Sequence, residues 1–153
     1  MKLLKYSILF LIINFTALGL GVILMDNGPV TDWYLDLKKA PWTPPGWFFG
    51  FAWTTIMLCY SIYMAYLLKI KKSTKLITLF SIQFVLNVMW NYIFFNKHLI
   101  LAGLVCIILL TLVVAKFMLD YKKVLKTKNA LIVPYFVWLC IATSLNLYIL
   151  IYN

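Results

Sequence analysis

The amino-acid sequence predicts an all-α integral membrane protein, a single domain over residues 1–153 built as a bundle of five transmembrane helices. Three observations carry this. Hydrophobic residues make up 65% of the chain and charged residues only 12%, far from the usage of soluble domains. The apolar residues fall into five runs, at about 5–25, 46–68, 76–96, 99–120 and 129–151. Each run is close to the roughly 20 residues, at 1.5 Å rise, that carry a helix across a bilayer. The runs are continuously apolar rather than alternating, which excludes a β-barrel.

The charges orient the bundle. All 14 basic residues are Lys, and the net charge is +10. Eleven of them (Lys2, Lys5, Lys69, Lys71, Lys72, Lys75, Lys116, Lys122, Lys123, Lys126 and Lys128) fall on one side of the five runs. Lys38, Lys39 and Lys97 fall on the other, with Asp26, Asp32 and Asp36. The positive-inside rule therefore predicts a cytoplasmic N-terminus and a C-terminus outside. Lysines clustered between spans meet anionic lipid headgroups, so membrane lipids are the expected partners and nucleic acid is not.

The first span, from about Tyr6 to Met25, is longer than the 7–15-residue apolar core of a signal peptide, so it is expected to be retained. It carries one amide, Asn14, and an Ala17-x3-Gly21 spacing that permits close helix packing. Ala102-x3-Cys106 in the fourth span is a weaker case, and both spacings suit internal packing as well as a dimer face. Next comes a loop over residues 26–45. From Trp33 to Trp47 it and the start of the second span pack three Trp and three Pro into fifteen residues. Proline fixes its own φ and restricts the residue before it, so Trp42-Thr43-Pro44-Pro45 is expected to be extended and stiff. An apolar, stiff loop at a membrane surface reads as a lid.

Helical spacing then places side chains on faces. The second span aligns Phe49, Trp53, Ile56 and Tyr60. The third aligns Gln83, Asn87 and Asn91 at i, i+4 and i+8, with Trp90 and Phe94 on the adjoining stripe. The fifth aligns Tyr135, Trp138, Ala142 and Asn146. Amides in lipid must find partners, so these faces point inward. Asn14, Gln83 and Asn91 are read as hydrogen-bonding links between helices. Trp53, Asn87, Ala142 and Asn146 come out about 8–14 Å below the loop end of their helices, counting 1.5 Å per residue. Mostly apolar walls with a few polar groups are the usual make-up of a small-molecule pocket, here expected to be uncharged. Pro134 is expected to kink the fifth span.

Other chemistry is excluded by what the chain lacks. It contains no Glu, and no Asp lies in the apolar part of a span, so the acidic relays of ion pumps are missing. His98 stands alone and reads as a surface residue. No hydrolytic or acid–base constellation can be assembled around it. Cys59, Cys106 and Cys140 lie inside apolar runs without metal spacing and read as free thiols. No metal site and no required cofactor are expected.

Four motifs in order resemble the TspO/MBR family, which includes the tryptophan-rich sensory proteins of bacteria and the translocator proteins once called benzodiazepine receptors. They are Trp33-Tyr34-x2-Leu37-x-Lys39 with Trp42-Thr43-Pro44-Pro45-Gly46-Trp47; Phe49-Gly50-x2-Trp53; Leu86-Asn87-x2-Trp90-x3-Phe94-Phe95; and Pro134-Tyr135-x2-Trp138-x3-Ala142-Thr143-x-Leu145-Asn146, followed by Asn153. The resemblance implies a receptor or carrier, often a homodimer, whose first loop covers a pocket for porphyrins and drug-like planar ligands. It places Tyr34, Pro44, Trp53, Asn87, Phe94, Trp138 and Ala142 in that pocket, with Trp90, Tyr135 and Asn146 beside them. The alternative it implies is light-dependent porphyrin degradation, with Trp33 and Trp53 as the catalytic candidates. One departure is that Lys39 is followed by Ala40, with Pro41 displaced by one. A second is that no basic residue follows Tyr148, so cholesterol recognition is not carried over. The Lys-only, Glu-free usage points to a bacterial cytoplasmic membrane.

Overall fold

A computed structural model describes all residues 1–153. Five helices are long and apolar enough to cross a membrane, so this is an integral membrane protein. Helix α1 spans Lys2–Leu24. A 3-10 turn at Gly28–Val30 and the short α2 at Asp32–Asp36 interrupt the first loop, and α3 follows at Gly46–Ile70. Helix α4 covers Thr74–Asn91 and continues into a π-helical turn at Tyr92–Asn96. Helix α5 spans Ile100–Asp120, α6 is a single turn at Lys122–Leu125, and a 3-10 segment at Lys126–Ile132 leads into α7 at Val133–Tyr152.

Neighbouring pairs close a ring: α3 against α1, α1 against α4, α4 against α5, α5 against α7, and α7 back against α3. Apolar residues such as Ile12, Val85, Leu112 and Ile151 face outward, as expected where lipid is the solvent. At the end of the bundle away from the first loop, Met57, Tyr60, Tyr63, Leu67, Ile107, Val114 and Phe117 are completely buried. There Tyr63 Oη donates to the Phe117 carbonyl at 3.0 Å, and Asn129 Nδ2 donates to the Met118 carbonyl at 3.1 Å. These bonds satisfy polar groups that hydrocarbon could not.

The boundaries expected from sequence hold to within a few residues, with two corrections. Pro134 kinks nothing, because it lies in the first turn of α7, where a missing N–H leaves no intrahelical bond unmade. The first loop is extended only in part: residues 28–36 are largely helical, and a turn closes through Thr43 N–H donating to the Ala40 carbonyl at 2.9 Å. Of the small-residue spacings, Ala17 and Gly21 are buried within the bundle, while Ala102 is exposed and Cys106 buried. Asn14 Nδ2 donates to Ser61 Oγ at 2.8 Å, linking α1 to α3 as its lone polarity in the span requires.

Candidate ligand-binding site

The first loop crosses the end of the bundle, and both of its halves are anchored. In the first half, Asp26 and Asn27 adopt positive φ, a conformation short polar side chains tolerate, and turn the chain back over the helices. Gly28 is buried with its α-carbon against the Phe95 side chain, in the space a Cβ would need. Trp33 stacks on His98 with ring centroids 4.0 Å apart and packs edge-on against Phe94 at 5.7 Å. His98 is thus an exposed residue that docks the loop. Tyr34 sits between Phe94 and Phe95, and burial pushes its phenol above the usual tyrosine pKa.

The second half is tied to the end of α7. Lys38 N–H donates to Asn153 Oδ1 at 2.9 Å, and Asn153 Nδ2 donates back to the Lys38 carbonyl at 3.3 Å. Trp42 Nε1 donates to Ser144 Oγ at 3.2 Å, and its ring meets Tyr148 edge-on. Trp42 and Trp47 remain largely exposed, as suits aromatic residues at a bilayer interface.

Beneath this cap lies a cavity of about 460 Å³, within the size range of small-molecule sites. Tyr34 and Pro44 line it from the loop, Trp53 from α3, Asn87 and Trp90 from α4, Phe94 from the π-helical turn, and Ala142 and Asn146 from α7. The π-helical turn carries an extra residue per turn, and it presents Phe94 and Phe95 together to the cavity. Trp90 and Phe94 stack on each other with ring centroids 5.5 Å apart, a packed aromatic pair in the wall.

Three sequence-based candidates lie elsewhere. Tyr135 is wholly buried below the cavity, where its hydroxyl donates to Asn87 Oδ1 at 3.2 Å and accepts from Gln83 Nε2 at 2.8 Å. Trp138 is packed against Phe48 and Phe49 and does not line the cavity. Trp33 is outside the wall, held on His98. Helical spacing gave the right face of α7 for Tyr135 and Trp138, but the pocket occupies only the upper part of that face.

The chain matches the sequence profile of the TspO/MBR family over residues 9–152. It belongs to that family. It is similar to the tryptophan-rich protein TspO of Chlorobaculum tepidum, 36% identical over 141 residues covering 90% of this chain and 89% of the relative. The TspO protein of Archaeoglobus fulgidus is 32% identical over 139 residues, 90% of each chain. The translocator protein of Homo sapiens is 30% identical over 126 residues, 78% of this chain and 74% of the relative.

The cavity of this TspO/MBR protein also holds residues that helix-face reasoning missed. Ala17, Leu18, Val22 and Met25 bring α1 into the wall. They are apolar residues in an apolar span, so only the packing of α1 against α3 and α4 marks them. Asn91 lines the cavity too, against the α-carbon of Gly21, rather than bonding a neighbouring helix. The wall is not uncharged. Lys39 reaches it, with Nζ 4.6 Å from the Tyr34 ring centroid and donating to the Leu35 carbonyl at 3.1 Å.

Proposed function

We propose that this membrane protein is a receptor or carrier that binds porphyrins and related planar hydrophobic rings in the cavity beneath the first loop. The observation that carries this reading is the composition of the wall. Trp53, Trp90, Phe94 and Phe49 supply aromatic rings, Asn87 and Asn146 supply amides, and Lys39 at the loop supplies one cation. Ring stacking adds about 0.5–1.5 kcal/mol per aromatic pair beyond area burial. The Lys39 ammonium suits the carboxylate side chains that a tetrapyrrole carries on its edge, a charge-assisted contact that a purely apolar guest would leave unused. By the lysine count the cavity opens toward the outer side of the membrane.

The test is titration of the purified protein with a porphyrin, followed by quenching of tryptophan fluorescence. Trp53→Ala and Asn87→Ala are each expected to weaken binding about tenfold, as loss of a well-packed aromatic or a ligand hydrogen bond does. Wild-type affinity in both variants would remove the site assignment.

Light-dependent porphyrin degradation is the second reading, favoured by Trp53 standing in the wall itself. On this reading Trp53 is the residue beside the guest, and Trp33 is one aromatic layer away behind Phe94. It requires product in excess of protein under illumination. Trp33→Phe and Trp53→Phe variants that bind normally and still degrade porphyrin would rule out tryptophan chemistry, and product no greater than the protein present would eliminate the reading.

A further inference from the structure

The two asparagines in the cavity wall are held in different ways. Asn146 is fixed at both atoms: Oδ1 accepts from Trp90 Nε1 at 3.3 Å, and Nδ2 donates to the Ile100 carbonyl at 3.3 Å. Turning its amide by 180° would set N–H against N–H and oxygen against oxygen. Asn87 is held at one atom only, by Tyr135. That partner is a hydroxyl, able to donate or accept.

Behind Tyr135 stands Gln83, which is 1% exposed and does not line the cavity. Its Nε2 donates to Tyr135, while its Oε1 is buried with no hydrogen-bond partner. In the observed arrangement protons point from Gln83 to Tyr135 and from Tyr135 to Asn87, which leaves the Asn87 amide N–H groups for the cavity. A half-turn of both amides exchanges nitrogen and oxygen at the same separations. Asn87 Nδ2 then donates to Tyr135, Tyr135 donates to Gln83 Oε1, and Asn87 Oδ1 faces the cavity. Each arrangement contains two hydrogen bonds, and terminal amide torsions are broad and roughly two-fold.

We propose that Gln83, Tyr135 and Asn87 form a reversible relay that lets the cavity present either a hydrogen-bond donor or an acceptor to its guest. Asn87 touches the ligand. Gln83 and Tyr135 are positioning residues, and Gln83 Oε1 is the acceptor that the turned arrangement uses, with Nε2 moved to the buried place where Oε1 now stands. The ligands served are flat conjugated rings carrying a carbonyl or imine-type nitrogen, and equally those carrying a ring N–H. This rests on the reading of the cavity as a site for planar rings.

The test uses three flat tricyclic probes that differ only at the central position: fluorenone with a carbonyl, carbazole with an N–H, and fluorene with neither. Affinities for the full chain in lipid nanodiscs are taken relative to fluorene, which cancels partition into lipid. Wild type is expected to prefer both polar probes to fluorene, fluorenone by the wider margin because the turned arrangement moves the Gln83 NH2 to the buried place of Oε1. Gln83→Met removes the acceptor needed by the turned arrangement and leaves the observed one with only a spare lone pair on Tyr135. It is therefore expected to lower carbazole affinity about tenfold, the size of one buried unsatisfied hydroxyl, and to leave fluorenone unchanged.

A second measurement needs no variant. The side-chain amide 15N resonance of Gln83 in wild type is expected to move on binding carbazole and to stay put with fluorenone, although Gln83 touches neither. Equal losses for both probes in Gln83→Met, or a Gln83 resonance that ignores carbazole, would overturn the relay. Three probes bound with equal affinity would overturn it too, while leaving the planar-ring site standing. Absence of saturable binding by any probe would overturn the site, and the relay with it.

Discussion

The two ends of the bundle are packed to opposite standards. Away from the first loop, Tyr60 and Tyr63 of α3 and Ile107, Val114 and Phe117 of α5 are completely buried. At the loop end α1, α3, α4 and α7 enclose about 460 Å³ of open space. Helix–helix contact holds the closed end, whereas the open end is held by a cap: Trp33 on His98, Gly28 against Phe95, and Asn153 bonded twice to the Lys38 backbone. The difference separates stability from binding. Shape complementarity among large side chains does one job, and a strapped-down loop over a gap does the other.

The sharpest way to break this division is to damage the closed end. Phe117→Ala deletes a ring that touches Tyr60, Tyr63 and Tyr121 and is expected to cost about 3–5 kcal/mol. Thermal unfolding in detergent should show it, while porphyrin affinity of the folded fraction stays within about twofold of wild type by the additivity of distant sites. A large loss of affinity at unchanged unfolding temperature would mean that the two ends are not separate.

A smaller effect is expected from the cap. Asn153→Ala removes both bonds to Lys38, worth about 1–2 kcal/mol together. The expected outcome is ligand dissociation faster by about five- to thirtyfold in stopped-flow, with the unfolding temperature little changed. Unchanged dissociation would show that the Trp33 side of the loop holds the cap alone.

The smallest effect is alkaline. Burial raises the Tyr34 phenol above its ordinary value, so the docked loop favours the neutral form. Below about pH 10 both docked and undocked phenols are neutral and docking is unaffected. As pH rises above that, the undocked phenol ionises first, and docking is lost through the raised pKa. Ligand dissociation should therefore accelerate above about pH 10 in wild type and less so in Tyr34→Phe, which assigns the effect to this phenol.

The candidate site was legible in sequence where a residue stood out from its surroundings. Asn87, Asn146, Trp53 and Trp90 are polar or aromatic on regular helical faces, and the cavity has all four in its wall. Leu18, Val22 and Met25 could not stand out, because an apolar residue in an apolar span reads as lipid-facing until a neighbour covers it, and Ala17 stood out only as a close-packing position. Lys39 was counted as a surface charge, since nothing in the loop's sequence tells that its turn brings the ammonium over Tyr34. Tyr135 and Trp138 share the face of Asn146 but lie lower, and periodicity fixes direction around a helix more firmly than depth along it.

The sequence by itself determined five apolar spans, the loop between the first two, and the inward amide faces. Each follows from the cost of placing polar groups in hydrocarbon, a constraint that acts residue by residue along the chain. Only the tertiary structure decided that α1 closes the cavity, that Trp33 lies behind its wall, and that Tyr135 bonds to Asn87 from beneath. Those are relations between distant segments, such as Asn87 with Tyr135, 48 residues apart, and Lys38 with Asn153, 115 apart. They are set by how five similar helices pack together, which no local pattern encodes.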